Sequence, residues 1–150
     1  MTQFTGSIAL LRHPRDLEKR WLAWWNERRR FFDFVIAERL EGDSFRECID
    51  REIAWTLNLR RGKDYLVSQM ARLHLQDTVS VSGVDTSFTV QFFVADVFGR
   101  VGRAAVEENP ELQWLTNEEV LAGRTSEQLP VNPTLVTLLE RADVIRRHQH

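Results

Sequence analysis

The chain has 150 residues, enough for about one domain that buries roughly 70% of its unfolded surface. Hydrophobic residues at 43% and charged residues at 28% are the balance of an ordinary globular protein, and a net charge of −2 argues against a chain-wide basic field for nucleic acid. Cys48 is the only cysteine, which excludes an internal disulfide and a cysteine-based zinc site within one chain.

The first elements in chain order are extended. "GSIALLRH" (6–13) is a short apolar run that predicts a strand. "RWLAWWNE" (20–27) predicts a second strand, paired with the first, with Arg28, Arg29 and Arg30 at its turn. "FFDFVIA" (31–37) reads as another extended piece. A helix follows. Ser44 is a suitable N-cap with Glu47 three residues on, the spacing of a capping box. Phe45, Ile49, Ile53 and Leu57 draw one apolar stripe, Glu47 and Arg51 form an i,i+4 pair, and Asn58 can close the helix in the left-handed conformation.

Strand periodicity returns in "DYLVSQMARLHLQ" (64–76) and in "SFTVQFFVADV" (87–97), the latter preceded by a turn at Gly83 and Asp85. In "NPELQWLTNEEVLAG" (109–123) Thr116 is an N-cap with Glu119 three residues later and Gly123 as a stop. "NPTLVTLLERADVIRR" (132–147) opens with Asn132 as cap and Pro133 at the first helical position, and Leu135, Leu138, Leu139 and Ala142 face one way. Strands in groups with helices between and after them predict a mixed central sheet sandwiched between helices. No repeat, low-complexity segment or Gly/Ser/Pro linker divides the chain, so residues 1–150 read as a single domain. No apolar run reaches the ~18 residues of a membrane span. The N-terminus lacks the basic start and long apolar centre of a secretory signal. A cytoplasmic protein with no membrane partner is the expectation.

Residues 37–59, "AERLEGDSFRECIDREIAWTLNL", resemble a Nudix box, whose pattern is G-x5-E-x7-R-E-U-x-E-E-x-G-U with U an apolar residue. Arg51, Glu52 and Ile53 match its central triplet, and Asp43 stands at the first glutamate. Ala37 and Asn58 replace the two glycines, and Trp55 and Thr56 replace the paired glutamates. "RWLAWWNERRRFFDFV" and "PELQWLTNEEVLAG" are similar to the segments that precede and follow the box, so the resemblance covers about residues 6 to 145. It implies the α/β (α+β) Nudix fold. In that family the helix glutamates hold magnesium or manganese beside a pyrophosphate, and the chemistry is hydrolysis of a nucleoside diphosphate linked to another group. Hard divalent ions demand several anionic oxygens at once. With a tryptophan and a threonine at the paired positions, the resemblance implies a metal-dependent reaction that is lost or weak.

Carried over by position, Glu52 and Arg51 are the catalytic candidates. No metal is expected. Should magnesium or manganese bind, Asp43, Glu52 and an acid from the later segment, Glu108, are the candidate ligands. Glu107 and Glu111 belong to the same acidic group, which otherwise reads as a solvated loop. The blander reading pairs Arg51 with Glu47 or another local acid. Trp55 either fills the emptied metal space, makes a dimer contact or offers a stacking face to a nucleobase. Arg28 and Arg30 could clamp a phosphate or simply mark a charged turn. Trp24 and Trp25, adjacent in a strand, point to opposite faces. His13 and His74 lack metal-ligand spacing, and His148 and His150 close the chain.

Two functional readings stand. In the first, an impaired Nudix-like protein binds a nucleotide-type ligand or a protein partner. In the second, an active pyrophosphohydrolase works through a rearranged metal site at Asp43, Glu52 and Glu108. Aromatic residues within 20–32 could also make a two-fold contact, giving a homodimer.

Overall fold

The long strand that organises the molecule is almost wholly apolar in its middle, and it is buried on both faces. A computed structural model describes residues 2–146. Arg147, His148 and His150 lie outside the described residues. β1 (Thr2–Arg12) runs parallel to β7 (Val84–Val97), from Thr2↔Thr86 to Arg12↔Asp96. β4 (Ile36–Glu38) flanks β1 on its other side, antiparallel, with Gly6 opposite Glu38. β5 (Tyr65–Val67) and β6 (Leu73–Val81) share the far edge of β7, β6 along its first part and β5 along its end. The β6–β7 hairpin closes on Ser82 and Gly83, both at positive φ, as a two-residue turn requires.

A smaller antiparallel sheet has the order β3 (Phe31–Asp33), β2 (Trp21–Asn26), β8 (Leu112–Leu115). The expected pairing of residues 20–27 with the first strand is therefore corrected. β2 pairs with β3 and β8 instead. The apolar piece 31–37 is likewise two strands in two sheets, with Phe34 and Val35 crossing between them. The piece 64–76 also divides, into β5 and β6 around residues 68–72.

Alternation along the central strands sorts side chains between two cores. Ile8 and Leu10 of β1, with Phe88, Val90 and Phe92 of β7, face Leu135, Leu138 and Leu139 of α4 (Pro133–Ala142) and Val120 of α3 (Asn117–Ala122). Ala9 and Leu11, with Phe93, Ala95 and Val97, face Ile49, Ile53 and Leu57 of α1 (Phe45–Leu57). Val106 of α2 (Arg100–Glu108) joins this second core. Helices thus cover both faces of a curled mixed sheet. Each fully buried Leu or Ile contributes about 1.5–3 kcal/mol over exposure, so the α1 stripe alone accounts for several kcal/mol.

α2 is a helix that the sequence pattern does not announce. It follows that Glu107 and Glu108 end a helix and do not sit in a loop. The three other helices begin where their caps predict. Ser44 accepts from the backbone N–H of Glu47 at 3.0 Å, and Asn132 accepts from Thr134 at 3.1 Å. Thr116 and Glu119 form the complete reciprocal capping box.

Candidate functional site

The loop between β4 and α1 brings the box positions together. Ala37 is buried in β4. Its carbonyl approaches β1 so closely that a Cβ on Gly6 would overlap it. Ser7, next along β1, donates its hydroxyl to the carbonyl of Phe45 at 2.7 Å, which fastens the start of α1 to the sheet. Cys48 packs behind this contact, fully buried, and burial pushes its thiol pKa up.

Gly42, at φ 86°, turns the chain into Asp43. The Asp43 carboxylate receives Arg51 Nη1 on both oxygens, at 3.0 and 2.9 Å, and the backbone N–H of Leu40 at 3.3 Å. Arg51 therefore pairs with Asp43 and not with Glu47. One position on, Glu52 is half-buried and accepts the Thr56 hydroxyl at 3.3 Å. Trp55 is 84% exposed, so its indole fills no internal space. Asn58 ends α1 at φ 54°, donating to the Ala54 carbonyl, and so performs the left-handed turn for which a glycine is otherwise preferred. Leu59 is buried behind it.

The other candidates lie elsewhere. Arg28 and Arg30 are exposed on the β2–β3 turn, in the smaller sheet. Arg30 pairs with Glu27 and lies over the Trp25 ring, 5.6 Å from its centroid. Trp25 donates to Glu27 at 2.7 Å, and Trp24, on the opposite face, donates to the Phe34 carbonyl at 3.0 Å. Glu108 is exposed at the end of α2. The structure thus joins Asp43 to Arg51 and Glu52 to Thr56. Among the described residues, no three His, Cys, Asp or Glu side chains converge as they would around a metal ion.

No family model matches the chain, and no curated protein matches it. Solved structures do. The C. elegans Ap4A hydrolase aligns with 94% of this chain and 95% of its own length, with a TM-score of 0.57 at 10% identity. The Nudix domain of Shewanella oneidensis NrtR, solved with ADP ribose, aligns over 95% of this chain and 88% of its own, with a TM-score of 0.54 at 11% identity. The chain has a Nudix fold. The E. coli dihydroneopterin triphosphate pyrophosphohydrolase gives the same architecture, covering 94% of this chain and 97% of its own at a TM-score of 0.51 and 14% identity. In this fold the loop after β4, α1 and the left-handed exit at Asn58 follow one another, and the side chains at 55 and 56 are an indole and a hydroxyl.

Sequence reasoning missed one charged region. Arg12 and Asp96 end the paired strands β1 and β7 directly opposite one another, 2.7 Å apart. Opposite charges closing "ALLR" and "FVAD" were the available signal. It becomes meaningful only once those strands are known to run parallel and in register.

Proposed function

We propose that this is a Nudix-like binding protein for a nucleotide-type ligand, in which the box helix no longer assembles an efficient divalent-metal centre. One observation carries the reading. Of the carboxylates at box positions, Asp43 is neutralised by Arg51 and only Glu52 remains uncompensated by a cation. Magnesium and manganese need several anionic oxygens in near-octahedral array. An indole at 55 supplies none, and a threonine hydroxyl that donates to Glu52 supplies little. The residues present do not fit such an ion.

The ligand class is supported by the neighbours. Two are named for splitting phosphorylated nucleosides or pterins, and a third holds ADP ribose. The exposed Trp55 face suits stacking on a base. The reading is tested by titrating dinucleotides, nucleotide sugars and ADP ribose while following tryptophan fluorescence. Quenching that disappears in Trp55→Ala is the expected result. A parallel panel with magnesium or manganese is expected to show negligible turnover. Metal-dependent turnover that is lost in Glu52→Gln would instead establish the hydrolase, with Arg51 releasing Asp43 to the ion.

A further inference from the structure

The end of β1 away from the box carries a different kind of site. Two adjoining cavities, of about 790 and 640 Å3, open there and share Arg12 and Arg72. Each is of the size that holds a small molecule, roughly 300–1,000 Å3. Two of the guanidinium groups around them are held by fixed partners. Arg12 donates through Nε to Asp96 at 2.7 Å. Arg46, from the first turn of α1, donates to the carbonyls of Ser68 and Val67 at 3.0 and 2.9 Å. Arg72 is anchored through its backbone N–H on the Phe92 carbonyl, at 2.6 Å, and its exposed side chain lines both cavities.

Charge in this cleft is not cancelled. The three carboxylates that line it are already engaged: Asp96 with Arg12, Asp16 with Arg20, and Asp143 with Arg146. Arg46 is held by neutral carbonyls, which leave its positive charge in place. Lys19 and Arg72 add theirs. Local cation excess in a chain of net charge −2 is a built concentration of positive potential, and low-dielectric cavity walls focus it. Beside the guanidinium groups, Leu66 is 56% and Met70 82% exposed, giving apolar surface at the rim of the second cavity.

We propose that this cleft binds a small phosphorylated molecule, with Arg72 on the phosphate and Arg12 and Arg46 flanking it. Planar guanidinium groups present paired donors that fit phosphate oxygens, and the apolar rim accepts the rest of the ligand. The site shares none of Asp43, Glu52 or Trp55, so it stands or falls separately from the reading of the box.

Calorimetric titration at low ionic strength, without divalent ions, tests it on the full chain with inorganic tripolyphosphate, ATP and adenosine. Tripolyphosphate and ATP are expected to bind, and adenosine is not. Tighter binding of ATP that survives Trp55→Ala assigns a nucleotide to the cleft, and equal affinity assigns the phosphate chain alone. Arg72→Ala is expected to weaken binding about tenfold or more, as befits loss of charge-assisted hydrogen bonds. Arg72→Lys should recover part of the loss, Lys19→Ala should weaken binding less, and Glu52→Gln should leave it unchanged. Arg72→Ala is expected to melt at the wild-type temperature, since the side chain is exposed. Absence of heat with both phosphate compounds, unchanged affinity in Arg72→Ala, or an equal loss in Glu52→Gln overturns the proposal.

Discussion

Near Gly6 and Ser7, β1 meets the box. There Asp43 and Arg51 neutralise each other, and Glu52 faces only a hydroxyl. Near Arg12, the same strand meets a cleft in which every lining carboxylate is engaged and Arg46, Arg72 and Lys19 remain as cations. The two ends of one strand thus differ in charge: at one a carboxylate and a guanidinium cancel, and at the other cationic side chains outnumber carboxylates. Position in a fold and the chemistry placed there vary independently.

The sharpest way to break the comparison is to cut the strand that both ends share. Gly6→Val puts a branched side chain into the Ala37 carbonyl and against the Phe4 ring. The expected loss is at least about 4 kcal/mol, because a backbone atom cannot move aside as a side chain can. Urea unfolding followed by both fluorescence and far-UV circular dichroism checks it. Coincident transitions mean that the two ends fold as one unit, whereas separate transitions would show that the box loop melts alone.

A second, smaller effect acts in the smaller sheet. Asp33 is buried in β3, where it accepts from Asn132 Nδ2 at 3.2 Å and from the Phe34 N–H at 2.9 Å, both on Oδ1. Burial pushes its pKa up to about 7, against these hydrogen bonds and the pull of Arg29. Asn132 also caps α4, whose last residue, Ala142, lines the cleft. The folded state holds the proton more tightly than the unfolded chain. Stability from this group is therefore full below about pH 4, falls as pH rises, and levels off above about 7. The expected swing is on the order of 2–4 kcal/mol. Asp33→Asn keeps the accepting oxygen and removes the charge. Denaturant titrations at pH 5 and pH 8 should show it more stable than wild type at pH 8, by a margin that narrows at pH 5. An equal pH dependence in both proteins would contradict this account.

What the sequence made legible was local. The Ser44 cap, the Phe45–Leu57 stripe and the left-handed close at Asn58 depend on residues within one turn of each other, and all three are present. The Thr116–Glu119 box is local too. Failures came where the deciding partner is distant. "FFDFVIA" is apolar but for Asp33, so no change of period marks the crossing at Phe34 and Val35 from one sheet to the other. α2 begins after Gly99 with no side-chain cap and carries Gly102 inside it. That glycine exists for packing, since a Cβ there would lie 2.8 Å from the Asp64 carbonyl, but its composition argues against a helix. The i,i+4 spacing left Arg51 between Glu47 and another local acid, and the loop that folds Asp43 back over the helix decides for Asp43. The resemblance of the chain pointed to the fold, and side-chain pairing within residues 37–59 needed the structure.

Restoring charge at the poor end sharpens the contrast further. Trp55→Glu combined with Thr56→Glu places two carboxylates beside Glu52, and manganese affinity is expected to rise about tenfold or more, roughly 1.4 kcal/mol. Manganese electron paramagnetic resonance reads the free ion directly. Adding Glu52→Gln to that variant should remove most of the gain. A double variant that binds no better than wild type would mean that the α1 geometry, and not charge alone, departs from a metal centre.

The smallest effect concerns the pair that closes the box loop. Asp43 is largely shielded and Arg51 is 41% exposed, so solvent screens their attraction. A double-mutant cycle with Asp43→Asn and Arg51→Gln isolates it, and a coupling of about 0.5–1 kcal/mol is expected. Salt should reduce that coupling, because one partner reaches water. The single variants carry a second readout. Removing Arg51 frees the Asp43 carboxylate, so Arg51→Gln should gain a little manganese affinity while losing a little stability. Asp43→Asn should lose stability without that gain. If both variants bind manganese alike, the ion pair is not what withholds Asp43 from the metal, and the neutral side chains at 55 and 56 carry the whole difference between the two ends of β1.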